Sequence, residues 1–160
     1  MKKNVLWVIG LFLLGQGIVY SQAPNPQWPK VLVTSDNDVN LSDVKIVLYG
    51  ENNFNKKLRE IKLVDGARVD LTQARCLKKK TKSFILYAPK HVSVMMFKSR
   101  NNSTRISNWS GYDSNPHEVD TWELKIYQLN EEITSFYFLV DGKIPLQYNR
   151  LQSPSRCDSD

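Results

Sequence analysis

Imidazole and thiol chemistry are scarce in this chain: its 160 residues hold two histidines, His91 and His117, and two cysteines, Cys76 and Cys157. No His-Glu-x-x-His helix is present to hold a zinc ion, no Gly-x-Ser-x-Gly elbow to present a nucleophile, and no glycine-rich loop to cradle a phosphate. The acid–base cluster worth naming is His117 and Glu118 with Asp113 and Asp120 nearby, and a polar surface loop accounts for it more cheaply. A general base must lie within hydrogen-bond reach of its substrate, which spacing alone does not supply. The chain therefore reads as a non-enzyme, with no catalytic residues, no cofactor and no metal.

Long apolar runs are absent beyond the N-terminus. Residues 1–21 have the form of a signal peptide: Lys2 and Lys3 precede an apolar run from Val5 to Leu14, and Val19-Tyr20-Ser21 offers a cleavage site. The run falls short of the roughly 20 residues of a spanning helix, so export is favoured over an uncleaved anchor, and no transmembrane segment is expected after processing. Cleavage would remove two lysines and take the net charge from +6 to +4. A balance that mild does not suggest a nucleic-acid binder. In a secreted protein, extracellular or periplasmic, an even cysteine count points to a disulfide between Cys76 and Cys157, with two free thiols as the alternative.

The rest of the chain divides into a lead-in and first strand (22–43), a main domain (44–148) and a polar tail (149–160). Three prolines between Gln22 and Lys30 keep the lead-in extended. Lys30 to Thr34 suits a strand. Asp36, Asp38 and Asn40 alternate as calcium ligands might be spaced, but Leu41 stands where an EF-hand loop needs Gly and no Glu closes the loop, so a turn is expected.

From Val44 onward, apolar runs separated by turn residues recur every eight to twelve positions or so, the rhythm of an all-β antiparallel sandwich. Val44–Tyr49, Ser83–Tyr87 and His91–Ser99 are expected strands. Glu60–Val64 and Ala67–Leu71 are expected to pair as a hairpin across Asp65-Gly66, and Thr134–Val140 with Lys143–Tyr148 across Asp141-Gly142, because Asp-Gly readily adopts the positive φ of a type I′ turn. Pro145 would confine its strand to an edge. Asp120–Tyr127 alternates Trp122, Leu124 and Ile126 against Thr121, Glu123 and Lys125, predicting a strand with one wet face. Residues 100–117 read as a polar loop.

Within the main domain, Tyr49, Phe54 and Ser83 carry a resemblance. An aromatic, four residues, a second aromatic, one residue and a Gly, with a Ser about thirty positions later, is the Greek-key motif of the βγ-crystallin family, and Tyr49, Phe54 and Ser83 match it. Lys56 stands where the family has Gly, a position needing a positive-φ bend, and Asn55 is expected to take that bend instead. A degenerate second unit runs from Val92 through Phe97, which lies 48 residues after Tyr49, to Ile126. The resemblance covers 44–127 and implies a Greek-key β-sandwich; an immunoglobulin-like or transthyretin-like sandwich would share the strand rhythm.

Many microbial members of that family bind calcium through a loop of two Asn/Asp, two free positions, Ser/Thr and Ser. Aligned on Ser83, this chain has Lys78, Lys79, Lys80, Thr81 and Lys82, and the second unit would offer His117 to Trp122. An ammonium cannot serve a metal that wants oxygen ligands, so no high-affinity calcium site is expected.

Two readings follow. Arg75, Lys78, Lys79, Lys80 and Lys82 form a candidate anionic-ligand patch, with Trp109 and Tyr112 as candidate contact aromatics, in an extracellular binding protein whose partner is a protein, a glycan or an anionic surface. Such a lysine run is more often a solvated connector, and both aromatics could cap the core. The second reading is a secreted effector, an inhibitor or toxin. Asn40, Asn101, Asn102 and Asn108 begin glycosylation sequons.

Overall fold

A computed structural model describes residues 33–34, 41–98, 106–112 and 116–158. The expected signal peptide and the sequons at Asn40, Asn101 and Asn102 lie outside the described residues.

The strands are β1 (Val33–Thr34), β2 (Lys45–Tyr49), β3 (Lys57–Lys62), β4 (Arg68–Asp70), β5 (Ser83–Tyr87), β6 (Val92–Phe97), β7 (Ile106–Ser110) and β8 (His117–Val119). After a short helix α1 (Thr121–Ile126) come β9 (Ser135–Val140), β10 (Ile144–Pro145) and β11 (Leu151–Gln152). Composition explains their placement. All six residues of β9, Ser-Phe-Tyr-Phe-Leu-Val, are buried, as suits a strand with neighbours on both sides and the core beneath. Strand β3 buries Leu58 and Ile61 but leaves Lys57 and Lys62 exposed, as suits an edge.

Two sheets stack, ordered β3-β2-β5-β8 and β11-β4-β9-β6-β7. The core between them includes Ile46, Leu48, Phe84, Leu86, Val94, Met96, Phe136 and Phe138, all essentially excluded from solvent. Each such side chain contributes about 1.5–3 kcal/mol relative to exposure. Strands β2–β5 form one Greek-key unit and β6–β9 a second; the third strand of each, β4 or β8, joins the sheet of the other unit. The fold is thus the all-β antiparallel Greek-key sandwich expected from sequence, and its order is not the ABED/CFG arrangement of an immunoglobulin domain.

That exchange corrects one expectation. Glu60–Val64 and Ala67–Leu71 do not pair across Asp65-Gly66: the first stays with β2 and the second crosses to β9. Leu63–Asp65 form a 3-10 turn closed by Gly66 N–H donating to Leu63 O at 2.9 Å. Gly66 has φ 147°, and a Cβ there would lie 2.7 Å from the Arg150 carbonyl oxygen. The glycine admits the tail at close range. At Asp141-Gly142 the expected turn is present, with φ 49° and 75° and reciprocal bonds between Val140 and Lys143 of 2.8 and 2.9 Å. The expected hairpin strand Lys143–Tyr148 does not follow: after the Val140–Lys143 bridge, Ile144 and Pro145 pair in parallel with β1 and Leu146–Tyr148 form a 3-10 turn.

The expected strand over Asp120–Tyr127 is helix α1. Asp120 caps it, its Oδ1 accepting from Glu123 N–H at 2.9 Å, an acidic N-cap with Glu at the third helical position. Leu124 points inward, whereas Trp122 is 71% and Ile126 50% exposed. The expected loop 100–117 contains β7 and the start of β8; along β7, Ser107 and Trp109 are buried and Asn108 and Ser110 exposed, the alternation of a strand. The tail is held in place as well. Strand β11 pairs in parallel with β4, and Asp158 N–H donates to Leu58 O at 2.8 Å while its Oδ2 accepts from Glu60 N–H at 3.0 Å. Among the described residues no helix is long and apolar enough to cross a membrane.

Candidate functional site

The hairpin between β2 and β3 folds over the end of β5. Tyr49 and Phe54 meet edge to face, ring centres 5.8 Å apart, and Ser83 Oγ donates to the Glu51 carbonyl at 2.8 Å. Burial raises the Tyr49 phenol above its ordinary pKa, and the neighbouring Tyr87 adds to this. Thr121 Oγ1 lies 2.6 Å from Asn52 Oδ1 and 2.7 Å from the Lys82 carbonyl, tying α1 to the same loop. The positive-φ bend falls on Lys56 itself, at φ 54°, with Asn53 and Phe54 also positive. Asn55 stays extended at φ −87°, which corrects the sequence expectation. The Gly50 N–H to Lys56 carbonyl bond, 3.0 Å, closes the loop at that residue.

The basic segment is an anchored loop. Ala74, Leu77 and Thr81 are buried, Lys78 N–H donates to Ala74 O at 2.9 Å, and Cys76 is bonded to Cys157, 81 positions later. This packing turns Arg75, Lys78, Lys79 and Lys80 outward, all exposed. The patch is not uniform. Lys79 Nζ lies 3.2 Å from Glu132 and Lys82 Nζ 3.4 Å from Glu131.

Beside this loop opens a pocket of about 450 Å³, lined by Lys56, Lys80, Lys82, Glu51, Glu131, Gly50, Leu58 and both cysteines. Sequence reasoning missed Lys56 and Glu131 as members of any site. The departure from glycine at 56 was the available signal for the first; nothing local pointed to the second, which arrives from the chain before β9.

The register also moves the calcium-type frame of the second unit. Ser135 lies opposite Phe97 as Ser83 lies opposite Tyr49, so the equivalent loop is Asn130–Ser135, not His117–Trp122. Asn130, Thr134 and Ser135 fit the pattern. The carboxylates in it, however, already face lysine ammoniums of the first unit, and among the described residues no three His, Cys, Asp or Glu side chains gather to hold a metal ion. A metal ion there would have to displace those lysines.

Trp109 is not available for contact. It is 4% exposed, packs edge to face on Phe84 and Tyr127 at 5.3 and 5.4 Å, and donates from Nε1 to Glu123 Oε1 at 2.6 Å. Tyr112 is 56% exposed and lies over the His117 ring, centres 4.7 Å apart. The polar cluster around His117 is engaged structurally: its Nδ1 lies 2.6 Å from the Ser110 carbonyl, and Asp120 caps α1. Asp113 lies outside the described residues. Asn108, the one sequon within them, is exposed on edge strand β7.

No family model and no curated protein matches this chain. Two solved structures are similar to it. One is a βγ-crystallin domain from work on the evolution of the eye-lens fold, 17% identical, with TM-score 0.47, covering 66% of this chain and 94% of that one. The other is the N-terminal domain of Protein S, 15% identical, with TM-score 0.35, covering 60% of this chain and 96% of that one. The strand exchange and the Tyr49, Phe54, Ser83 geometry make this chain's fold βγ-crystallin-like.

Proposed function

We propose that the protein is a secreted, non-enzymatic binding module of βγ-crystallin-like type that engages an anionic partner through its basic loop and does not bind calcium tightly. The observation that carries the reading is the anchored loop: a buried Ala74-to-Leu77 turn and a disulfide hold Arg75, Lys78 and Lys80 outward as a fixed array. Retention of the protein on heparin-agarose, collapsing with modest salt and with Lys78→Glu and Lys80→Glu, is the expected result; unchanged elution of the variants overturns it. Titration calorimetry is expected to show no micromolar calcium binding, since Lys79 and Lys82 hold the carboxylates that a metal would need.

A second reading, a secreted inhibitor or toxin, is favoured by one observation. Trp122 and Ile126, one turn apart on α1, are 71% and 50% exposed, an apolar ridge of the kind that anchors protein contacts. Growth or protease inhibition by the pure protein, lost in Trp122→Ala, tests it.

A further inference from the structure

We infer that the pocket beside the basic loop is a binding site for one acidic sugar unit, its sulfate or carboxylate held between Lys56 and Lys80 and its hydroxyls donating to Glu51 and Glu131. The inference rests on the anionic-partner reading above and locates the specific part of that recognition.

Three observations converge on this place. The first is volume: about 450 Å³ falls within the roughly 300–1,000 Å³ of small-molecule sites. The second is charge. Of the three lysines lining the pocket, Lys82 is satisfied by Glu131 at 3.4 Å, while Lys56 and Lys80 form no ion pair among the described residues. The third is backbone conformation. Lys56 holds φ 54°, a left-handed region that glycine enters freely and a residue with a side chain does not. Glycine would suit that backbone better, yet a cationic side chain stands there and lines the pocket.

The remaining lining suits a sugar better than a bare anion. Glu51 and Glu131 would repel a simple oxyanion, whereas carboxylates accept hydrogen bonds from hydroxyls. Leu58 and the Cys76–Cys157 disulfide supply apolar surface for the ring carbons. Lys82 lies 3.4 Å from Glu131 and faces that carboxylate. Arg75 and Lys78 do not line the pocket, and Lys79 is paired with Glu132. Their role is confined to long-range attraction.

The test uses the purified protein with its disulfide intact, titrated by calorimetry or nuclear magnetic resonance with a sulfated uronate disaccharide, with glucuronate and with sodium sulfate. The disaccharide is expected to bind, Lys56→Gly and Lys80→Ser each to weaken it about ten-fold, and Lys125→Ser and Lys143→Ser, at exposed lysines that do not line the pocket, to leave it within two-fold or so. Lys56→Gly relieves the left-handed backbone along with the charge, and its thermal midpoint, measured beside binding, separates a lost contact from misfolding. Binding by glucuronate places the carboxylate between the lysines; binding only by the sulfated sugar places the sulfate there. Equal losses across all four variants, or sodium sulfate binding as tightly as the disaccharide, overturn the proposal. Retention on heparin without any disaccharide binding defeats the pocket while leaving the anionic reading standing; failure on heparin as well defeats both.

Discussion

Ser83 donates its hydroxyl to the Glu51 carbonyl across 32 positions of sequence, and so fastens the folded β2–β3 hairpin to the first residue of β5. The same hairpin carries Lys56 into the pocket, so this one bond links the fold of the first Greek-key unit to its candidate site. Ser83 is itself fully buried. Ser83→Ala is expected to cost about 1 kcal/mol in urea unfolding, and to increase hydrogen exchange in 50–56 more than in β9.

Lys56→Gly should act in the opposite direction on stability. Relief of the left-handed lysine is worth up to about 1 kcal/mol, partly offset by the freedom glycine gains in the unfolded chain. A rise in the thermal midpoint accompanied by loss of ligand binding is the expected pair of results. A fall in the midpoint would show that the lysine stem is needed for packing.

The Cys76–Cys157 bond closes a loop spanning 81 positions. Replacing both residues by serine is expected to remove on the order of 4 kcal/mol through the unfolded state. Asp158 next to it bonds the edge strand β3 through backbone and side chain and pairs with Arg59 at 3.0 Å. The double variant should therefore also lose exchange protection at the Glu60 amide and at Asp158, while β9 stays protected under native conditions.

Alkaline unfolding should report on Tyr137. Burial pushes its phenol from 10.0 up to about 12, against a smaller opposing pull from Arg68. Because the folded pKa is raised, the stabilisation is fully present below pH 10 and is lost as pH climbs toward 12, where the unfolded chain ionises first. The slope is about 1.4 kcal/mol per pH unit within that window. Tyr137→Phe should flatten this part of the curve, measured by urea midpoints across the range.

Much of the fold was legible in the chain because strand periodicity is a local property. Val44–Tyr49, Ser83–Tyr87 and Thr134–Val140 each declare burial on their own, and the Tyr49, Phe54, Ser83 spacing predicts a folded hairpin. Two local signals competed at α1. The alternation of Trp122, Leu124 and Ile126 suggested a strand, whereas Asp120 and Glu123 already formed a helix start, and six residues are too few for periodicity to decide. The basic loop was visible as charge, but which lysines are paired depended on Glu131 and Glu132, some fifty positions away.

The two Asp-Gly dipeptides mark the boundary between what the chain states and what folding settles. By itself the sequence determined the strand-forming runs at Val44–Tyr49, Ser83–Tyr87 and Thr134–Val140, the pair of cysteines and the excess of lysine, since each follows from side-chain chemistry within a few residues. Only the tertiary structure decided that β4 leaves β3 for the opposite sheet at Gly66 while the chain reverses on itself at Gly142. A turn residue sets how tightly the backbone bends, but the partner a strand takes is set by which layer has an open edge and apolar surface to cover. The same layering brings Lys56, Lys80 and Glu131 around one pocket, a meeting that spacing along the chain could not specify.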